Sequence, residues 1–218
     1  MPQNHKYDMR YLFIAFSYLV IFLVLVIALA SRAKADAKTP LEVVKNGVNQ
    51  AKSIIDNPSV KFEEKRKQLH DLLLPFFDLD KMTRMIMGSN FKKYEKRSVE
   101  LTPLLVELIE NSYMKLSTLD SAKDSKIIYG NETIDGQYAI VDTKIIAKND
   151  KQIPVSYRLA LKNGEWKVYD MVIEGVSMVS NYRSQVNAIL NRGSSGRDPF
   201  DVLLDKIRTN IAEAKSRQ

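Results

Sequence analysis

The sequence predicts an α+β domain, a four-stranded antiparallel sheet covered by helices, and three observations predict it. The hydrophobic period shortens near Ser125, from helical spacing of about 3.6 to an alternation of about 2. Three turn-forming pairs, Asp135-Gly136, Asn149-Asp150 and Asn163-Gly164, separate four runs rich in β-branched and aromatic residues. Helical spacing then returns beyond Gly175. Helices, a meander, then helices again is the order of a layered fold whose sheet has one dry face for the helices to cover.

Taken in order, residues 1–10 are polar with a few positive charges, and residues 11–30 are apolar apart from Ser17. Ala33-Lys34-Ala35 follows, so residues 1–35 read as a secretory signal with cleavage after Ala35. The apolar run is long for a signal: as a helix it rises about 30 Å, enough to span a bilayer. Residues 1–35 are therefore either a signal peptide or a retained anchor. Both place a single domain, residues 36–218, outside the cytoplasm.

Thr39-Pro40 opens the first helix as N-cap and first helical residue, and Asn57-Pro58 ends its stripe of Leu41, Val44, Val48, Ala51, Ile54 and Ile55. A second helix, residues 61–74, buries Phe62, Leu69, Leu72 and Leu73, exposes the charges from Glu63 to Gln68, and breaks at Pro75. Asp78 caps a third helix that stops at Gly88. Residues 89–97 read as a short helix plus loop. A fourth helix runs from Ser98 or Thr102 to Leu116, with Pro103 tolerable in its first turn only.

The strands are 126–132, 138–147, 152–161 and 165–173. In the third, Ile153, Val155, Tyr157, Leu159 and Leu161 share the dry face. The stretch 166–183, WKVYDMVIEGVSMVSNYR, starts as the last strand, is interrupted at Glu174-Gly175 by a bulge or sharp bend, and continues at helical spacing. Such a corner is where an apolar cleft between sheet and helices can form. The helix through Tyr182 and Leu190 stops at Gly193, Ser194-Ser195-Gly196 is a joint, and Asp198-Pro199 starts the last helix.

Composition excludes several functions. Cysteine is absent, which removes disulfides, thiolate metal sites and cysteine nucleophiles. The formal charge is +7, but the first 35 residues hold four bases and one acid, so the remainder is only +4. Its bases are interspersed with acids and lack arginine–aromatic interleaving, which argues against nucleic acid as a partner. No dinucleotide-binding fingerprint, phosphate-cradling glycine loop or metal-spaced cluster occurs. His70 is the one histidine after residue 35, and among charged neighbours it reads as solvated. Ser177 lacks the second glycine of a nucleophile elbow and reads as a hydroxyl or helix cap. Asp142 and Asp170 lie in apolar strands; they are either general bases of a small pocketed enzyme or groups on the wet face that satisfy a nearby donor. A membrane-tethered interaction protein without a ligand is a further alternative.

Six methionines follow the first 35 residues: Met82, Met85, Met87, Met114, Met171 and Met178. Unbranched, polarizable side chains fill irregular space, which fits either an ordinary core or an adaptable greasy cavity.

At YDMVIEGVSMV, residues 169–179, followed by Asn181-Tyr182-Arg183, the chain closely resembles the MlaC family of periplasmic phospholipid carriers, also called the toluene-tolerance or organic-solvent-resistance substrate-binding family. Leu73-Leu74-Pro75-Phe76-Phe77-Asp78, the Met85-to-Phe91 run and Gly164-Glu165-Trp166 extend the likeness over residues 40–210. The resemblance implies a soluble, non-enzymatic shuttle without cofactor. It would carry phospholipid between an outer-membrane lipoprotein complex and an inner-membrane ABC transporter bearing an MCE-domain protein. It also implies an acyl-tail pocket between sheet and helices, with Val176 lining it and Met171, Ile173 and Met178 beside it in the same motif. The dry-face pattern adds Tyr157, Leu159, Phe77 and Met85 as candidate lining residues.

Overall fold

Strand pairing carries the architecture of the computed structural model, which describes residues 38–114, 119, 122–192 and 196–216. The expected signal or anchor, Leu116 and residues 193–195 lie outside the described residues. From Thr39 onward the chain forms one unit. Strands β1 (Lys126–Asp135), β2 (Tyr138–Ile146), β3 (Gln152–Lys162) and β4 (Glu165–Ile173) pair antiparallel in sequence order. Asn163 and Gly164 both have positive φ, 53° and 84°, the turn whose twist matches that of the strands it joins.

The sheet has five strands rather than four. Glu174 and Gly175, with φ of 50° and 82°, repeat the Asn163-Gly164 geometry. What reads in the sequence as a bulge or bend is thus another two-residue turn, folding β5 (Val176–Ser177) back onto Val172 and Ile173. Two residues are too few to display an alternation.

The bulge lies earlier, inside β4. Arg158 pairs with Asp170 and Leu159 with Val168, which leaves Tyr169 as the extra residue. Before it, Trp166 and Val168 stand opposite Leu161 and Leu159; after it, Met171 and Ile173 stand opposite Tyr157 and Val155. The inserted residue moves the dry face from even to odd numbers, so apolar residues crowd the strand without simple alternation.

Helix α1 (Pro40–Asp56) covers the dry face. Its capping box is complete: Glu42 N–H donates to Thr39 Oγ1 at 3.2 Å, and Thr39 N–H to Glu42 Oε2 at 2.8 Å. Leu41 N–H donates to Glu132 Oε1 on β1 at 2.6 Å, tying the helix start to the sheet. Val44 is fully buried in a cluster with Val141, Tyr157, Leu159 and Val168. At Gly47 a Cβ would lie 2.7 Å from the Phe76 ring, so glycine permits that approach.

Helix α2 (Phe62–Leu73) departs from expectation at Lys65, which is buried although the sequence places it on a charged face. Its stem runs between the helices, and Nζ donates to Ile55 O at 2.5 Å, meeting a carbonyl in the last turn of α1. A 3₁₀ turn, Leu74–Phe76, follows. The chain then touches the edge of β4: Phe77 bridges Val168, and Asp78 N–H donates to Val168 O at 2.8 Å.

Helix α3 (Leu79–Met87) is capped by Asp78, whose Oδ1 accepts from Lys81 N–H at 3.2 Å and from Lys162 Nζ at 2.7 Å, and it stops at Gly88 with φ of 57°. Short helical turns over residues 88–97 lead into α4 (Ser98–Tyr113). Pro103 therefore lies inside α4, not in its first turn, because the helix begins at the earlier of the two expected starts. Helices α5 (Met178–Leu190) and α6 (Pro199–Ser216) close the second cluster, in which Ile86, Met87, Leu101, Phe200 and Leu203 are the most buried. Among the described residues no helix is long and apolar enough to cross a membrane.

The tight approach at Gly47 sets an expectation. Gly47→Leu overpacks the α1–Phe76 contact and lowers stability by about 1–3 kcal/mol, read as a lower urea midpoint with unchanged slope.

Candidate functional site

Apolar helix stripes and the dry sheet face do not close completely on one another. Between them lies a cavity of about 240 Å³, walled by Leu69 and Leu73 of α2, Val106 and Ile109 of α4, Met82 of α3, Ile173 of β4 and Met178 of α5. A neighbouring cavity of about 200 Å³ lies under α1, lined by Gly47, Val48, Phe76, Ile127, Ile145 and Tyr157. Ala51, Ile55, Leu73, Phe77 and Met171 line both, so the two are lobes on either side of a shared wall. Both exceed the roughly 150 Å³ of an apolar cavity that takes a benzene ring. Apolar space of this size suits hydrocarbon.

The expected lining residues divide. Phe77 and Met171 border both lobes, Ile173 and Met178 the larger, and Tyr157 the smaller. Leu159 does not line either: it is paired with Val168 before the bulge and is wholly buried in packed core. Met85 sits on α3 against the helical cluster, away from both lobes, while Met82 on the same helix faces the larger one. Val176 is 62% exposed. It stands opposite Ile173 at the sheet margin, where a two-residue strand has nothing beyond it to cover the side chain. The residues missed, among them Ala51, Ile55, Leu69, Leu73, Ile109 and Glu110, belong mostly to helix stripes. A stripe facing a cavity and a stripe facing packed core have the same period.

Asp170 and Asp142 behave differently from general bases of this cavity. Asp170 is 1% exposed and accepts from three donors: Arg158 Nη1 at 2.9 Å, Ser177 Oγ at 2.7 Å and Val179 N–H at 3.0 Å. Its carboxylate joins β3, β5 and the start of α5. Ser177 is the N-cap of α5, its Oγ accepting from Ser180 N–H at 3.0 Å. Asp142 is exposed and accepts from Ser156 Oγ at 2.6 Å. Neither lines a lobe. His70, expected in solvent, instead bridges helices, its Nδ1 lying 2.5 Å from Glu110 Oε1. Among the described residues no group of His, Asp and Glu side chains could hold a metal ion.

Burial pushes the Tyr157 hydroxyl up to about 12, against a smaller opposing effect of its hydrogen bond with Thr143. The phenol facing the smaller lobe therefore stays neutral at physiological pH.

The family model described as MlaC protein matches residues 45–209. The chain belongs to the MlaC family. The curated relatives include the intermembrane phospholipid transport system binding protein MlaC of Haemophilus influenzae, 26% identical over 204 residues, covering 90% of this chain and 93% of the relative. The toluene tolerance protein ttg2D of Pseudomonas putida is 25% identical over 191 residues, covering 82% and 84%. Among solved structures, a phospholipid-binding protein from Ralstonia solanacearum, in complex with a phospholipid, matches with a TM-score of 0.67 at 21% identity, over 78% of this chain and 97% of that one. That likeness shows a shared fold. In this MlaC-family chain the Glu174-to-Ser177 run, which carried the resemblance, forms the tight turn and β5.

Two outcomes test the site's construction. Asp170→Asn removes the charge shared with Arg158 and turns a donor towards donors, costing about 2–4 kcal/mol in urea unfolding, whereas Asp142→Asn at the surface changes stability by less than about 0.5 kcal/mol. Tyr157 binds its proton more tightly in the folded state than the ordinary value of 10.0 allows. Its contribution is complete below pH 10 and is lost as pH rises to about 12. Tyr157→Phe should therefore reduce the alkaline loss of stability over that range by roughly 2–3 kcal/mol, measured as the difference between the two proteins' unfolding curves.

Proposed function

We propose that this protein is a phospholipid carrier of the bacterial envelope. The single observation that carries the reading is the pair of contiguous apolar lobes behind β4, in a chain of the MlaC family. The names of the Haemophilus influenzae relative and of the Ralstonia solanacearum protein support phospholipid as the cargo.

Energetics supports a protein container. Two acyl tails hold about 30 methylenes, each costing about 0.8 kcal/mol when exposed to water, so escape through water faces a barrier of the order of 20 kcal/mol. A carrier lowers it by offering dry surface comparable to that of the bilayer. The headgroup stays at the rim, so the lobes need little charge. Unloading requires the cavity to open when a partner docks.

The carrier acts in the periplasm as the soluble component of an ABC-type lipid transport system, moving phospholipid between the outer and inner membranes. Its partners are an outer-membrane lipoprotein complex and an inner-membrane ABC transporter with an MCE-domain protein, and the ATPase supplies the energy. Residues 81–94 and 175–196 contain no acid, and Arg84, Lys92, Arg183 and Arg192 within them are exposed. A cationic surface of that kind suits anionic partner faces or membranes.

Native mass spectrometry of the purified protein, followed by lipid extraction, tests the reading, with phospholipid expected at about one molecule per chain or fewer. Met171→Glu puts a carboxylate into the wall shared by both lobes and should lower bound phospholipid at least tenfold, since burying that charge costs several kcal/mol. A wild-type protein that carries no phospholipid and takes none from vesicles would refute the proposal.

A further inference from the structure

Among the described residues that line the larger lobe, Glu110 is the one charged group. Its side chain keeps 19% exposure, and that of His70, with Nδ1 2.5 Å from Glu110 Oε1, keeps 40%. One turn earlier on α2, Arg66 Nη2 donates to Asn111 Oδ1 at 3.0 Å. Asn111 is 1% exposed, and its Nδ2 has no acceptor among the described residues. An anion, two cationic or potentially cationic groups and an amide donor thus gather where α2 faces α4. Among the described residues this is the one charged stretch of the larger lobe's boundary, and it reaches water.

A molecule with its tails in the lobes would leave its headgroup where the boundary turns polar. Glu110 attracts an ammonium and repels a second anion, and the low-dielectric wall behind it strengthens both effects. His70 orients that carboxylate from the solvent side. Arg66, whose Nη1 also lies 4.0 Å from Glu63 Oε2, supplies positive charge for the phosphate beside the ammonium. The arrangement complements a zwitterion. It does not complement a headgroup whose only charge is negative.

We infer that Glu110, held by His70, makes this protein select amine-bearing zwitterionic phospholipids over net-anionic ones. The inference rests on the phospholipid-carrier reading and adds a specificity to it. Glu110 would contact the headgroup, and His70 would act as a positioning residue.

The test exposes the purified full chain to equimolar phosphatidylethanolamine and phosphatidylglycerol vesicles, re-isolates it, and quantifies both lipids by mass spectrometry. Wild type should be enriched in phosphatidylethanolamine. Glu110→Gln should reduce that enrichment about fivefold, equivalent to about 1 kcal/mol, with total occupancy retained. Glu110→Lys should invert it, and His70→Gln should shift it partway. Loaded Glu110→Gln with the wild-type lipid ratio overturns the inference and leaves the carrier reading intact. Wild type that loads neither lipid overturns both. Glu110→Gln is nearly isosteric, so it serves should the lysine variant not fold.

Discussion

A nearly inaccessible carboxylate, that of Asp170, holds the corner on which the rest of this protein depends. It accepts from a guanidinium on β3, a hydroxyl on β5 and a backbone N–H in the first turn of α5. A charge this buried is stable only when its acceptor capacity is filled, and here the donors come from three different elements. The same hydrogen bonds fix the direction in which the chain leaves the sheet. They seat Met178 against the larger lobe and hold Ile173 next to the β5 turn. A fully partnered polar network thus borders the apolar space behind β4.

Much of the frame was legible because local chemistry decided it. The Thr39-Pro40 start, the Asp78 cap, the Gly88 stop and the Asn163-Gly164 turn all depend on residues adjacent in sequence. The features that escaped depend on partners distant in sequence. The bulge at Tyr169 is visible only in the register against β3, and its effect on the sequence is to blur an alternation. The shielding of Lys65 depends on a carbonyl ten residues away at the end of another helix. β5 is too short to have a pattern, and its existence depends on Glu174 taking a left-handed conformation uncommon for that residue.

The candidate site was legible in part. Phe77, Met171, Ile173, Met178 and Tyr157 face the lobes, but Leu159, Met85 and Val176 do not. A hydrophobic stripe states which side of an element avoids water and does not state whether the space opposite is filled. Leu159 and Tyr157 share one face of β3; two residues' displacement along the strand separates tight packing from hollow. Family likeness directed attention to the corner between β4 and α5, although Val176 there is exposed. Only the packing of five helices against it distinguished wall from core. The pairing of His70 with Glu110 likewise joins residues 40 apart, beyond the reach of any short motif.

The partition between the two lobes is made of unlike materials. Phe77 is tethered through its backbone bridge to Val168 and through an edge-to-face contact with Phe76, with ring centroids 5.4 Å apart. Met171, on the sheet side, is an unbranched thioether with several rotors and no polar obligation. One jamb is stiff and the other pliant. Space can then pass from one chamber to the other by rotation about methionine bonds, without stretching the strand ladder or parting the helices. Apolar volume can thus be divided differently between the chambers at nearly constant total, with the scaffold unchanged.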